Sequence, residues 1–334
     1  MTGGAGFVGV NIVEQLLNEG SVVVVYDRQP FPLTACETAE RHRERLHIVV
    51  GDVTDEVRLK AVSKQHDIDR LVHAAVITAD AAREGAEPGR IVDVNVRGTT
   101  NALSAARECR CGRFVYVGSG QAYGKTHDEG VRLHEERSPS RPADIYGISK
   151  FAAEQVALRL GELWALDVIC IRLGSVLGPW EGDTGVRDML SPYFQVAMRA
   201  LRGETAILPA KMVWRDWIYS RDAADGIVRA LCAVAPSHRL YHLASGLDWQ
   251  GTFAGWCSML QDKYPAFSWR LAAEGDQPNV SFVLPRDRAP MDVSRIMQDL
   301  GFRPRFGPVE AHQDYGQWIV DHEVWLLAEA KAYR

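Results

Sequence analysis

The stretch Thr2-Gly3-Gly4-Ala5-Gly6-Phe7-Val8-Gly9 decides the fold of this chain. Its glycines Gly3, Gly6 and Gly9 recur at a spacing of three, and a helix-like run over 10–17 follows them. The first glycine permits a tight turn, the second lets backbone approach a pyrophosphate, and the third lets the helix pack closely on a sheet. The helix N-terminus then faces the phosphates. This stretch therefore predicts a dinucleotide-binding loop.

The next two apolar runs each end in an acidic residue. The valine run 22–25 predicts a buried second strand that ends near Asp27, whose carboxylate can accept hydrogen bonds from an adenosine ribose. The same carboxylate would repel a 2′-phosphate, which favours NAD over NADP. Arg28 beside it argues the other way, since an arginine can accept that phosphate. A third strand over 46–52 ends in Asp52, which could reach the adenine amino group or simply cap a loop.

Composition narrows the function classes. The net charge of −5 comes with no basic block, so we expect no nucleic-acid partner. The longest apolar runs are much shorter than a membrane span, and no secretory leader precedes the glycines, so no membrane partner is expected. The 6 cysteines are dispersed, which suggests the reducing cytoplasm. His238 and His242 have a helical ligand spacing, but the residues between them read as a strand, and no metal site is predicted.

The beginning of the chain is unusual for such a fold. A doubly wound sheet needs a buried strand directly before the glycine loop, and the sequence offers only Met1 there. The two alternatives are a start truncated by several apolar residues and a central strand that is a mere stub. We expect a truncated start.

Apolar runs then alternate with helical patterns, which predicts an α/β Rossmann fold with a doubly wound parallel sheet. Further strands are expected at 70–75, 114–117, 168–173 and 240–243, and helices at 55–66, 89–107, 146–163, 187–201 and 222–233. Residues 1–174 would form the dinucleotide-binding domain, with about 217–243 returning to it. Residues 175–216 and 244–334 would form a smaller C-terminal lobe that binds substrate.

Three side chains suggest hydride-transfer chemistry. Tyr146 and Lys150 are four residues apart on a predicted helix, so they share one face. A nearby ammonium would lower the pKa of the phenol, and Tyr146 could then exchange a proton with a substrate hydroxyl. Lys150 could also hold the nicotinamide ribose. Ser119 stands at the end of a neighbouring strand and could hydrogen-bond the same substrate oxygen.

These motifs, with HAA at 73–75, GSGQAYG at 118–124, RLGSVLGP at 172–179 and RDWIYSRDAADG at 215–226, follow one another in order. Together they resemble the extended short-chain dehydrogenase/reductases, in the NAD-dependent epimerase/dehydratase branch. The resemblance implies seven parallel strands, NAD as cofactor, a Ser119-Tyr146-Lys150 catalytic set and a homodimer formed through the two long helices. The expected cofactor-binding residues are Gly3, Gly6, Phe7, Val8, Gly9, Asp27, Arg28, Asp52, Val53, Ala74, Ala75, Asn95, Tyr146, Lys150, Leu173 and Val176.

Asn95 and His73 each have a structural interpretation as well. Asn95 is one residue from the apolar stripe of its helix, and bracing the backbone is the favoured role for it. His73 is expected to be a buried, hydrogen-bonded core histidine.

Departures from the branch bear on the substrate. Dehydratases of the branch carry Asp-Glu directly after the catalytic hydroxyl residue, where this chain has Gly120 and Gln121, so elimination of water is not expected. Sugar-nucleotide enzymes often have Asn where this chain has Ser175. Their late arginine stretch is rearranged here around Arg286, which leaves Arg215 as the motif-matched phosphate contact.

The sequence thus predicts an NAD-dependent oxidoreductase acting on a secondary alcohol of a sugar, sugar acid or polyol. A sugar-nucleotide epimerase with retained NAD is the alternative, and a non-catalytic dinucleotide sensor is a third. We expect a compact, carbohydrate-like substrate with at most one acidic group, which Arg187 could bind. The expected substrate-binding residues are Thr78, Ser119, Gln121, Ser175, Arg187 and Arg215.

Overall fold

The computed structural model of the protein describes residues 1–183, 185–282 and 287–332. The α-helices are α1 Phe7–Asn18, α2 Glu37–Arg41, α3 Glu56–Gln65, α4 Ala81–Ala86, α5 Pro88–Val92, α6 Gly98–Glu108, α7 Ile145–Trp164, α8 Pro192–Arg202, α9 Ser220–Cys232, α10 Phe253–Lys263, α11 Ser294–Asp299, α12 Pro308–Asp321 and α13 Glu323–Ala332. The strands are β1 Val23–Asp27, β2 Leu46–Val50, β3 Arg70–His73, β4 Arg113–Val117, β5 Val168–Leu173, β6 Ser175–Leu177, β7 Thr205–Leu208, β8 Trp217–Tyr219, β9 Leu240–Leu243 and β10 Ser268–Leu271.

A parallel sheet forms the centre of the molecule. β2 pairs with β1, and a second row pairs β3, β4, β5 and β9 in that order, all in parallel. The central strands β4 and β5 are buried along their whole length. Such continuous burial is what helices on both faces of a parallel sheet produce. The predicted Rossmann architecture is therefore confirmed.

Two residues complete the sheet where a central strand was expected. Thr2 forms parallel bridges to Tyr26 of β1 and to His73 of β3. Tyr26 N donates to Met1 O at 2.8 Å, and Thr2 N donates to Val72 O at 3.0 Å. A two-residue stub therefore joins the rows, so six strands and the stub occupy the seven places that the resemblance implies.

Helices cover both faces of the sheet. α1 packs against α9 on one face, while α3, α6 and α7 pack together on the other. Because α9 packs on α1 and β9 pairs with β5, the chain returns to the main sheet after β8. α8 begins at Pro192, five residues later than the predicted 187, because Ser191 caps it by accepting from Phe194 N at 3.1 Å and proline suits the first helical position.

The rest of the chain packs beside the carboxyl ends of these strands. β6 pairs with β8, and β7 pairs with β10, each in parallel. The packing between α8, α10 and α12 is aromatic, with the Trp256 and Tyr315 rings stacked at 5.1 Å between centroids. This apolar packing holds the β6–β8 pair against the main sheet.

Candidate active site

A long cleft runs along the carboxyl edge of the sheet, where parallel α/β folds bind ligands. Nearly all of the predicted site residues line it: Gly3, Gly6, Phe7, Val8, Gly9, Asp27, Arg28, Asp52, Val53, Ala74, Ala75, Thr78, Ser119, Gln121, Tyr146, Lys150, Leu173, Ser175, Val176, Arg187 and Arg215. The cleft therefore brings together residues that are up to 212 positions apart in the chain, from Gly3 to Arg215.

The glycine loop forms a cradle that side chains would fill. Gly3 has φ +72°, and a Cβ on it would lie 2.4 Å from Ala75 N. A Cβ on Gly9 would lie 2.0 Å from Gly3 O. Gly6 is the N-cap of α1, and no side chain caps the helix there. The open helix N-terminus and the close backbone approach both fit a dinucleotide pyrophosphate.

At the predicted adenosine end of the cleft, the acidic side chains are positioned by backbone hydrogen bonds and by one ion pair. The Asp27 carboxylate accepts hydrogen bonds from Ala5 N and Gln29 N, both at 3.0 Å. Burial raises the pKa of Asp27 above its ordinary value, although these hydrogen bonds oppose the shift. Arg28 Nε lies 3.6 Å from Asp52 Oδ2, so an ion pair joins the ends of β1 and β2 at this edge of the cleft.

Asn95 lies behind the cleft wall and not on it. It sits in a π-helical turn, Asp93–Arg97, between α5 and α6. Its amide accepts from Ile77 N at 2.8 Å, and it donates to Ile77 O at 3.1 Å and to Ser149 Oγ at 2.9 Å. These three bonds engage the side chain, so the geometry gives Asn95 the bracing role and not the direct cofactor contact assigned to it.

His73 is likewise part of the support beneath the cleft. Its ring nitrogens contact Thr2 Oγ1 at 2.7 Å and Thr99 Oγ1 at 3.0 Å. Burial lowers the pKa of His73 to about 3. It is a neutral core residue, as expected.

The three candidate catalytic side chains come from adjoining elements. Ser119 follows β4, and its Oγ accepts from Gln121 N at 3.1 Å. Tyr146 lies in the first turn of α7, which Asp144 caps by accepting from Gly147 N at 2.6 Å. The hydroxyls of Ser119 and Thr78 lie beside that of Tyr146 and oppose the rise in its pKa. The strand end and the helix start thus bring these hydroxyls together.

The predicted effect of Lys150 on Tyr146 is absent from this arrangement. Burial raises the pKa of Tyr146, and the opposing influences come from the Ser119 hydrogen bond and the charge of Arg187. Lys150 Nζ instead donates to Val117 O at 2.6 Å and lies 4.4 Å from the Tyr116 ring centroid. Burial lowers the pKa of Lys150 to about 7. The expectation of a lowered tyrosine pKa was wrong here because Lys150 is turned toward the end of β4.

The opposite end of the cleft contains a residue that the sequence reasoning missed. Arg288 lines the cleft together with Arg215, Trp217 and Phe282. Both arginines lie near the buried His127, whose pKa falls to about 4 through burial, with their charges adding to the shift. Arg288 belongs to the rearranged arginine stretch around Arg286, to which the sequence analysis assigned no contact. Arg286 itself lies outside the described residues.

Arg187 lines the cleft and is paired with a buried carboxylate. Its Nη2 donates to Glu181 Oε1 at 3.1 Å, and its Cζ lies 5.1 Å from the centroid of the Phe7 ring. Phe7 opens α1. The guanidinium is therefore close to the glycine loop.

The described residues, 1–183, 185–282 and 287–332, lack two kinds of feature. They contain no group of three or more histidine, cysteine or acidic side chains arranged to hold a metal ion. Within the same ranges, no helix combines the length and apolarity needed to cross a membrane.

Comparison with known proteins identifies the family. The model of the NAD dependent epimerase/dehydratase family matches residues 1–244. This chain belongs to that family. Its cofactor is NAD, which fits the cradle described above.

The family relatives span almost the whole chain. A dTDP-glucose 4,6-dehydratase of an Actinoplanes species is 27% identical, over 97% of this chain and 98% of that protein. A bifunctional UDP-glucose 4-epimerase and UDP-xylose 4-epimerase of Pisum sativum is 25% identical, over 95% of this chain and 94% of its own length.

Solved structures share the fold at lower identity. The UDP-glucose 4-epimerase of Thermotoga maritima, solved with UDP-glucose, has a TM-score of 0.76 at 20% identity, covering 96% of this chain and 97% of the other. The dTDP-glucose 4,6-dehydratase of Bacillus anthracis, solved with NAD, has a TM-score of 0.74 at 20% identity, covering 98% and 97%.

Proposed function

We propose that this enzyme epimerises a nucleotide sugar, using a retained NAD. The observation that carries the proposal is that a single cleft is lined by the glycine cradle, by Ser119 and Tyr146, and by Arg215 and Arg288. A nucleoside diphosphate carries at least two negative charges, and binding it away from water needs several positioned donors. The second arginine is the reason to prefer this substrate over the compact sugar expected from the sequence.

The arrangement at the far end of the cleft suits the rest of such a substrate. Trp217 and Phe282 provide aromatic surface beside the two arginines, and a nucleobase can stack on such surface. The curated relatives named above, which act on dTDP- and UDP-sugars by their names, support the same class. Gly120 and Gln121 offer no carboxyl group next to Ser119, so epimerisation is preferred to dehydration.

The proposed reaction gives a separate role to each of the three side chains. The bound nicotinamide supplies a hydride acceptor and later a hydride donor. Tyr146, once ionised, takes the proton of the substrate hydroxyl as the carbon–hydrogen bond breaks, and it returns the proton when hydride comes back to the other face. Ser119 donates a hydrogen bond to the same oxygen. Lys150 provides a positive charge beneath, and its release from Val117 would let it approach the ribose and the phenol.

Retention of NAD separates this proposal from a net dehydrogenase, which must exchange its cofactor at every turnover. Thr78 N donates to Val186 O at 3.0 Å, and Asp188 N donates to Thr78 O at 3.0 Å. Val186 and Thr78 both line the cleft. These two backbone hydrogen bonds fix the cleft wall to Thr78, and a fixed wall supports retention.

The test is product analysis with the purified enzyme. UDP-glucose, dTDP-glucose and free sugar acids are each incubated with the protein, and products are followed by NMR while absorbance at 340 nm reports NADH. We expect an epimeric nucleotide sugar with no accumulation of NADH. Accumulation of NADH with a free sugar or sugar acid would instead establish the dehydrogenase.

We further propose the organisation around this activity. The dinucleotide would bind residues 1–174, with 217–243 completing that domain, and the sugar nucleotide would bind the lobe formed by 175–216 and 244–334. A cytoplasmic homodimer through α6 and α7 is proposed as well, and the exposed apolar side chains Ile148 and Leu163 on α7 support it. Analytical ultracentrifugation of the purified protein tests the dimer.

A further inference from the structure

The three residues Val186–Asp188, here called the strap, join the chain after β6 to the segment that follows β3. Their backbone forms a parallel bridge at Thr78 and Arg187. Val186 lines both the main cleft and a neighbouring pocket that Arg28 and Arg83 also line. The strap is thus a wall between the dinucleotide cleft and that outer pocket.

Arg83 of α4 fastens this wall. Its Nη2 donates to Gly185 O at 2.7 Å, and its Nε lies 2.9 Å from Asp188 Oδ2. Asp80 N also donates to Asp188 Oδ2, at 3.2 Å. The Arg83 and Asp188 side chains are only 21% and 17% exposed, so solvent screens this ion pair less than a surface pair. One side chain therefore contacts the chain on both sides of Arg187, through the Gly185 carbonyl and the Asp188 carboxylate.

Arg187 faces the glycine loop from this fastened wall. Its contacts with Glu181 and with the Phe7 ring leave the Nε buried without a hydrogen-bond partner. A guanidinium has five N–H donors, and Glu181 takes one of them here. The Glu181 carboxylate is itself held by Ser191, through N at 2.7 Å and Oγ at 2.5 Å. Glu181 is therefore a positioning residue that aims the guanidinium.

We propose that Arg187 binds the pyrophosphate of NAD, and that the strap, latched by Arg83, slows cofactor release. Two positive features then act on one anion, since Phe7 opens α1 and the helix N-terminus attracts the same phosphates. This assignment differs from the substrate carboxylate that the sequence suggested for Arg187.

The test of Arg187 uses ADP-ribose, which contains the pyrophosphate but no nicotinamide and no sugar nucleotide. Calorimetry on nucleotide-free, full-length protein compares wild type with Arg187→Gln. Hydrogen bonds to charged groups contribute about 1.5–3 kcal/mol, so we expect ADP-ribose to bind roughly 10- to 150-fold more weakly. Arg159→Gln removes an equally charged but exposed side chain on α7 and should leave the affinity unchanged.

An Arg187→Gln affinity within twofold of wild type would overturn the pyrophosphate contact. If that variant does not fold, the double variant Glu181→Gln/Arg187→Gln removes the buried carboxylate as well, and the same loss is expected of it. Neither result depends on the sugar substrate, so failure of the proposed epimerase activity would leave this measurement intact.

The contribution of Arg83 to cofactor retention is measured in a separate experiment. Dissociation of NADH is followed by its fluorescence after mixing with excess ADP-ribose. Arg83→Gln should release NADH several-fold faster than wild type, since it loses the Gly185 and Asp188 contacts while leaving Arg187 in place. An unchanged dissociation rate would show that Arg83 does not hold the strap closed.

Discussion

The two ends of the cleft are built in different ways. The dinucleotide end consists of one glycine loop and the ends of sheet strands, which meet in contacts such as Ala5 N with the Asp27 carboxylate. The sugar-nucleotide end proposed here brings Arg215 and Trp217 from the region around β8 together with Phe282 and Arg288 from the chain after β10.

This difference explains where function can vary. A parallel sheet places its carboxyl ends at one edge whatever the loops contain, so the dinucleotide end follows from the fold. Loops tolerate change in length and sequence, and they carry specificity. Arg288 illustrates this, because its stretch departs from the spacing typical of the family and yet its side chain lines the cleft.

The largest expected effect lies where the two ends meet. Tyr146→Phe removes the proton-transfer hydroxyl and should lower turnover on the order of 100- to 10,000-fold. ADP-ribose affinity should change by less than about twofold, since the cradle is untouched. Steady-state rates and calorimetry on the same preparation check both statements, and turnover within a few-fold of wild type would remove Tyr146 from the mechanism.

The next largest effect distinguishes the two ends of the cleft by the ligand that each one binds. Arg215→Gln and Arg288→Gln should each weaken UDP binding by roughly 10- to 100-fold, since each loses charge-assisted hydrogen bonds. ADP-ribose affinity should stay the same in both. Arg202→Gln, an exposed position on α8, serves as the control. If wild type does not bind UDP at all, a compact sugar becomes the better substrate.

A pH-dependent effect concerns the support beneath the cradle. His73 has a folded-state pKa of about 3, against about 6.5 in the unfolded chain. Its neutral form therefore contributes stability above pH 6.5, and this is lost as pH falls toward 3 because the unfolded chain binds the proton first. Between pH 6 and 4 we expect His73 to lower the free energy of unfolding by about 1.4 kcal/mol for each unit by which the pH falls.

Urea unfolding of wild type and His73→Gln across that pH range measures the slope. The free energy of unfolding should fall less steeply with decreasing pH in the variant than in wild type. His127 and His242 will still make it pH-dependent in both proteins, since burial lowers their pKa values to about 4 and about 3. Equal slopes would mean that His73 titrates normally.

The smallest expected effect is a change of cofactor preference. Asp27→Ala removes the charge that opposes a 2′-phosphate and leaves Arg28 able to accept it. The ratio of NADP to NAD affinity should rise, by about 10-fold. Asp27→Asn keeps an acceptor for Ala5 N and Gln29 N, so it tests charge with less disturbance of the loop. A wild-type preference for NADP would show that Arg28 dominates.

The sequence by itself determined the fold and the dinucleotide end. Gly3 adopts φ +72°, Gly9 packs on Gly3 O, and Tyr146 and Lys150 share a helix face through their spacing alone. Such features depend on neighbours within a few residues, so a pattern of residue types is enough to predict them. Before the glycine loop the same local pattern predicts a full strand, and the structure describes parallel bridges at Thr2 there.

Only the tertiary structure decided how distant side chains are used. Asn95 is engaged by Ile77, Lys150 turns to the Val117 carbonyl, and Arg187 lies against Phe7. Each outcome depends on which partner folding brings within about 3 to 5 Å, and partners far apart in the chain leave no regular spacing in the sequence. Burial then changes the chemistry of these groups, since the charged form of Lys150 loses water once α7 packs on β4.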